Sequence, residues 1–161
     1  MPCRSLTVLL VTAAIFAPAP ALAAAQCQTS VSPMSFAAMA MFAGSPDRDS
    51  TAAVDFNCAD DGLPPTPPAE VSYTITLSTG SGASFLPRSM SGTGDALEYN
   101  LYLDPNRSAV WGDGTNATVT ASGNFPVPGG NSHLVYGRIP GGQTGVGRGL
   151  YADSVTVTVE Y

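Results

Sequence analysis

The sequence predicts an all-β fold, an antiparallel sandwich, on three observations. Apolar residues recur with a period of two in segment after segment, and no stretch sustains a 3.6-residue period. Glycine and proline together supply 31 of the 161 residues, 17 and 14 respectively, which breaks the chain too often for a helical bundle. About seven strand-like segments follow one another at intervals of roughly ten residues, the spacing of a sandwich rather than of alternating helices and strands.

The elements follow in order. Ala37 to Phe42 is apolar, but Pro33, Gly44 and Pro46 bound it closely, so it reads as an irregular or strand-like first element. Val54, Phe56 and Cys58 alternate with Asp55 and Asn57, a strand with one buried face. Asp60-Asp61-Gly62 and the cluster Pro64-Pro65-Thr66-Pro67-Pro68 form a stiff loop. Val71, Tyr73, Ile75 and Leu77 make the next strand, which ends before a turn at Gly80. A short extended piece spans Ser84 to Met90, and Leu97, Tyr99, Leu101 and Leu103 line one further face, stopped by the turn sequence Asp104-Pro105-Asn106. Two shorter strands are expected at Ala117 to Ala121 and His133 to Ile139, separated by the Pro- and Gly-rich stretch from Phe125 to Gly130. The strongest alternation comes last: Val155, Val157, Val159 and Tyr161 point one way, and Thr156, Thr158 and Glu160 the other.

Composition excludes several functions. Charged residues are only 11% of the chain, against about 25% in an ordinary soluble domain. All six basic residues are arginine and twelve are acidic, a formal net charge of −6. A chain with no lysine and an acidic balance offers no basic stripe for nucleic acid, no phosphate-loop lysine and no Schiff-base chemistry.

Residues 1–24 read as a secretory leader: Arg4 supplies the positive start, Ser5 to Ala17 the apolar core, and Ala21-Leu22-Ala23 the small-x-small cleavage pattern. Residues 25–161 are then the mature domain, with five arginines against twelve acids, a net charge of −7. No other apolar stretch reaches the 18 to 20 residues of a membrane span, so no membrane insertion of the mature chain is expected. Cys3 leaves with the leader, and Cys27 and Cys58 remain. In an oxidising compartment such a pair is most simply a structural disulfide; a redox or zinc site lacks both CxxC spacing and a nearby histidine.

Few residues suggest chemistry. His133 is the single histidine, and it lacks any nucleophile-elbow context, so an exposed strand-end residue is expected rather than a triad member. Asp47/Asp49 and Asp60/Asp61 are carboxylate pairs in Gly/Pro-flanked turns, without the spacing of a calcium loop, and are expected to be solvated. Trp111 beside Gly112-Asp113-Gly114 has two readings: a sugar-stacking platform, or an aromatic capping one end of the sandwich. No enzymatic activity, cofactor or metal is expected.

An ordered set of short motifs carries a resemblance: Leu77-Ser78-Thr79-Gly80, Arg88-Ser89-Met90, Leu97 to Tyr102, Trp111-Gly112-Asp113-Gly114, Tyr136-Gly137-Arg138-Ile139 with Gln143, and Gly149 to Tyr161. From Cys27 to Tyr161 the chain resembles the spore coat protein U domain, the subunit family of archaic, Csu-type chaperone-usher pili. The resemblance implies an incomplete immunoglobulin-like sandwich lacking its final strand, with a disulfide that would here join Cys27 to Cys58. Tyr99, Trp111, Gly112, Asp113, Gly114, Tyr136, Gly137, Gln143, Tyr151 and Asp153 would be its structural motif residues. The implied partners are a periplasmic pilus chaperone, an outer-membrane usher and neighbouring pilus subunits. The implied route runs through the periplasm to the cell surface or a fimbrium, a setting of adhesion and biofilm.

The residues agree at one point. A strand as apolar as Val155 to Tyr161 should be central, yet no residues follow to pair with its second side; an edge of that kind invites strand addition from another chain. Val155, Val157, Val159 and Tyr161 are therefore expected to line the donor-strand groove. One departure stands out: only Ala24, Ala25 and Gln26 separate the expected cleavage site from Cys27, where polymerising members carry a donor segment. This favours a tip or initiating subunit or a coat-like relative, although tip adhesins usually have two domains. The competing readings are a self-complete secreted carbohydrate- or calcium-binding module and, ranked last, a small hydrolase built on His133.

Overall fold

A computed structural model describes residues 26–60, 70–92 and 95–161. The leader and most of the proline-rich loop lie outside these residues. Eight strands are present: β1 (Gln26–Val31), β2 (Arg48–Ala59), β3 (Glu70–Leu77), β4 (Arg88–Ser91), β5 (Ala96–Tyr102), β6 (Ala121–Pro126), β7 (Gly129–Ile139) and β8 (Val157–Glu160). They form two antiparallel sheets, one of five strands in the order β1-β2-β7-β5-β4 and one of three in the order β6-β3-β8.

The expected alternation is present in the central strands. Val54, Phe56 and Cys58 of β2 and Tyr73, Ile75 and Leu77 of β3 turn inward from opposite sheets. Leu97, Tyr99 and Leu101 of β5 and Val135 and Ile139 of β7 complete the core. Phe56, Tyr73 and Phe125 pack as an aromatic cluster with ring centroids 5.1 to 5.7 Å apart, in the tilted and edge-on arrangements that aromatic quadrupoles favour.

Three expectations need correction, and one open pair of readings is decided. Sequence reasoning missed β1, because its six residues are almost all exposed and mostly polar. It is an edge strand held by its register with β2, in which Cys27 lies directly opposite Cys58, and by the disulfide between them. Ala37 to Phe42 is irregular and belongs to no strand. The strand expected at Ala117 to Ala121 starts later: Val119 makes a single bridge to Trp111, and β6 begins at Ala121. The stretch from Phe125 to Gly130 is no broad separator. β6 runs to Pro126 and β7 starts at Gly129, so Val127 and Pro128 alone carry the chain from one sheet to the other.

Buried polar links tie the two sheets together. Arg88 of β4 is fully buried, and its guanidinium donates from Nε and Nη2 to Ser78 O (3.0 and 2.9 Å), from Nη2 to Trp111 O (2.7 Å) and from Nη1 to Asn100 Oδ1 (2.8 Å). Burial lowers its pKa, with the fields of Tyr99, Asp153 and Asp113 acting in opposition. A planar fork with five donors suits such divergent carbonyl acceptors better than an ammonium could. Trp111 is also fully buried and donates Nε1–H to Ile75 O at 3.0 Å, while its own amide donates to Leu101 O. The indole therefore ties β3 to β5 from the inside, which removes the sugar-stacking reading: no face of the ring reaches solvent.

Candidate functional site

Among the described residues β8 pairs with β3 alone, from Leu77↔Val157 to Thr74↔Glu160, and its second edge carries no ladder. Ser78 extends the pairing by one step, donating its amide to Thr156 O and accepting from Thr156 N at its hydroxyl. Val155, Val157 and Val159 are half-buried and packed against the core, while Thr156, Thr158 and Glu160 are exposed. The strand is shorter than the stretch from Val155 to Tyr161, and Tyr161 departs from the expected pattern. It is 69% exposed, with its ring 5.3 Å from that of Phe56 at one end of the sandwich.

Beside β8 the three-stranded sheet stops while the five-stranded sheet continues, and an apolar groove of about 1080 Å³ opens between them. Leu77, Val155 and Val157 line one wall, and Leu101, Val135 and Ile139 the other. Residues 32–41, the first part of the connection from β1 to β2, run along the groove with Met34, Phe36, Met39 and Met41 turned toward the core. Sequence reasoning did not single out these four side chains. Their signal was the paired spacing 34/36 and 39/41 in a stretch too short and too interrupted to read as a strand.

A polar clasp closes one end of the groove. Asp153, which precedes β8, accepts at Oδ1 from the amides of Ser81 (2.6 Å) and Ser154 (2.8 Å), and at Oδ2 from the Tyr99 hydroxyl of β5 (2.5 Å). Burial pushes the Asp153 carboxyl upward, but the hydrogen bonds from Ser81, Tyr99 and Ser154 outweigh it and hold the group below the usual carboxylate value. Burial and the same carboxylate push the Tyr99 phenol well above its ordinary value, so it stays a donor. Gly80 is required here for two reasons: its φ is +77°, and the Asp153 carboxylate sits where a Cβ would be.

The remaining motif residues have other surroundings. Gln143 spans a loop junction, donating to Glu98 O and Pro140 O and accepting from Glu98 N. The Tyr151 hydroxyl donates to Gly147 O at 2.8 Å, close to the groove. Asp113 caps its own turn by accepting from Thr115 N and Oγ1; Gly112 leaves room for the Thr118 side chain, and Gly114 takes a φ of +86°. Tyr136 lies half-buried on β7 opposite Thr51 and Tyr102. Gly137, also on β7, faces Met34 and Phe36.

His133 and the pair Asp47/Asp49 also depart from expectation, while Asp61 of the other pair lies outside the described residues. His133 is half-buried within β7 rather than exposed at a strand end, and its Nε2 lies 2.7 Å from the Tyr73 hydroxyl. Asn131 Nδ2 donates to the same hydroxyl at 2.8 Å, and the imidazole tautomer sets which of Tyr73 and His133 donates in their bond. Burial lowers the imidazole pKa, which favours the neutral ring that bridges the sheets. Asp47 and Asp49 are engaged rather than merely solvated. Arg138 grips Asp49 in a fork at 2.7 and 2.9 Å and reaches Asp47 at 3.1 Å, and Arg107 adds a contact to Asp49 at 3.1 Å. The hydrogen bond from Arg138 lowers the Asp49 pKa, partly offset by desolvation; both carboxylates stay partly open to solvent, and Asp47 Oδ1 also accepts from Gly141 N.

Two antiparallel sheets packed across one core, with a disulfide inside the larger sheet between β1 and β2 and one inward-alternating strand left open on a groove, define an immunoglobulin-like β-sandwich. The Spore Coat Protein U domain matches residues 11–158, and the chain belongs to that family. Among solved structures it is similar to a chain of the CsuC-CsuE chaperone-tip adhesion subunit pre-assembly complex from the archaic chaperone-usher Csu pili of Acinetobacter baumannii. The two share 17% identity with a TM-score of 0.58, over 86% of this chain and 40% of that one. A chaperone-tip adhesin complex of CFA/I fimbriae matches more distantly, with 12% identity and a TM-score of 0.44 over 83% of this chain and 41% of that one. The chain thus spans about two fifths of the length of these solved chains. No curated protein matches it.

Proposed function

We propose that this chain is a non-enzymatic structural subunit of a secreted surface fibre of the chaperone-usher type, and that another chain completes its sandwich by adding a strand to β8. The observation that carries this reading is the unpaired edge of β8, with Val155 and Val157 lining the adjoining groove; Val159, expected there too, packs against the core beyond the groove's lining. A donor strand entering there would pair its backbone with β8 and place alternate apolar side chains in the groove, the two components of strand addition. Fully burying an apolar side chain is worth about 1.5–3 kcal/mol, so completing three half-buried valines and the donor's own side chains is a large contribution beside a stability of about 5–15 kcal/mol.

The partners of this reading are a periplasmic chaperone that holds the subunit in transit, an outer-membrane usher, and neighbouring subunits at the cell surface or in the fimbrium. The disulfide fits an oxidising export route. The short segment between the expected leader cleavage site and Cys27 favours a strand acceptor at the tip or start of a fibre. Sequencing the N-terminus of the mature protein tests that position: a start at or before Pro18 would leave room for a donor strand and reassign the subunit to the shaft.

Native mass spectrometry of the oxidised protein from periplasm, expressed alone and beside its cognate chaperone, tests the main reading. The expected result is a 1:1 complex with the chaperone that Val157→Asp abolishes. A wild-type chain that stays a folded monomer in the presence of the chaperone contradicts it.

A further inference from the structure

We infer that residues 33–42 are an intramolecular cover of the groove, a strap that lies where a donor strand's side chains would go and is displaced when such a strand enters. The inference rests on the strand-acceptor reading above and adds a regulating element to it.

Three observations carry it. First, the strap imitates the side-chain pattern of a strand without making a ladder: Met34 and Phe36 turn inward, Ala37 and Ala38 interrupt the alternation, and Met39 and Met41 turn inward again. Second, its backbone is held mainly at its ends. Ser32 pairs with Ala53 at one end and Ser45 N bonds Phe42 O at the other, with Ser50 Oγ donating to Ser35 O at 2.6 Å between them. Among the described residues no backbone-backbone hydrogen bond involves residues 33–41, so the strap leaves the β8 edge unpaired. Third, the fit is loose. The groove retains a volume of about 1080 Å³ with the strap in place, far from the close packing of a finished interior. Three of the four inward side chains are methionine, which adapts to irregular space without specifying one arrangement.

The direction of exchange follows. The strap supplies apolar cover alone, whereas an incoming strand supplies apolar cover together with backbone partners for β8, so the strand displaces the strap. A notch in the opposite sheet seats the strap: Gly137 of β7 has no side chain, and Met34 Sδ and Phe36 Cζ occupy the space a Cβ would need.

The test uses the mature, oxidised full chain with ¹³C-labelled methionine methyls and a synthetic nine-residue peptide alternating valine and threonine between terminal lysines. On peptide addition the methyl signals of Met34, Met39 and Met41 are expected to move to solvent-exposed positions, while that of the core residue Met90 stays buried. Gly137→Ala, which crowds the strap without altering its sequence, and the double change Met34→Ser with Phe36→Ser are expected to speed peptide association about tenfold, the order that losing one side chain's burial would give. Peptide binding at an unchanged rate, with the strap methyls still buried, would overturn the strap while leaving the acceptor groove standing. Absence of peptide binding to the wild type and both variants would overturn both.

Discussion

Tyr99 of β5 donates its hydroxyl to Oδ2 of Asp153 at 2.5 Å, linking the five-stranded sheet to the segment that leads into β8. The carboxylate also gathers the amides of Ser81 and Ser154, so a single side chain sets where β8 begins and how the groove is closed at that end.

Tyr99→Phe is therefore expected to cost about 1.5–3 kcal/mol, the range for a hydrogen bond to a charged group. Urea denaturation at neutral pH checks this. The depressed Asp153 carboxyl contributes stability that is fully present above its unfolded value near 3.8 and is lost as pH falls through its lower folded value. Asp153→Asn is expected to remove that part of the acid dependence.

Among the described residues Arg88 has no carboxylate within ion-pair distance, and its fork serves three carbonyl groups in the interior. Arg88→Lys is expected to destabilise by about 3 kcal/mol, because a point charge cannot serve divergent acceptors and remains buried. Thermal unfolding followed by near-UV dichroism of Trp111, which shares this network, reads the effect.

The disulfide closes a sequence separation of 31 residues. Replacing Cys27 and Cys58 together by alanine is expected to lower stability by about 3–4 kcal/mol in the chain-entropy account. The loss should appear as a lower urea midpoint, and β1, paired with β2 only, should be the first strand to exchange its amides.

His133 contributes an acid sensitivity of its own. Its folded pKa lies below the ordinary 6.5, so as pH falls past 6.5 the unfolded chain takes up the proton first, and stability declines until the folded value is passed. His133→Gln is expected to flatten the stability profile in that window while changing little at pH 8. A profile unchanged by the substitution would mean that burial does not hold the ring neutral.

Much of this architecture was legible in the residues, and the exceptions have physical causes. Val71 to Leu77 and Val155 to Val159 alternate cleanly because each strand has one wet face and one dry face. β1 left no such trace, since an edge strand fixed by a disulfide and by backbone pairing needs no apolar face. The strap was invisible as an element because its inward residues slip register at Ala37-Ala38. For Trp111 the residues left two readings, and burial of the ring keeps the structural one; His133 was misplaced because the Gly-Gly-Asn-Ser run before it reads as a loop, whereas β7 already begins at Gly129. Asp47 and Asp49 looked solvated because their partners, Arg107 and Arg138, lie far along the chain.

The most direct measurement is amide hydrogen exchange across Val157 to Glu160, in the oxidised protein alone and bound to its chaperone. The account predicts that amides on the free edge of β8 exchange readily in the isolated chain and become protected in the complex, as a ladder forms on that side. Full protection of β8 in the isolated chain, or no change on chaperone binding, would contradict the claim that this edge awaits a strand from another chain.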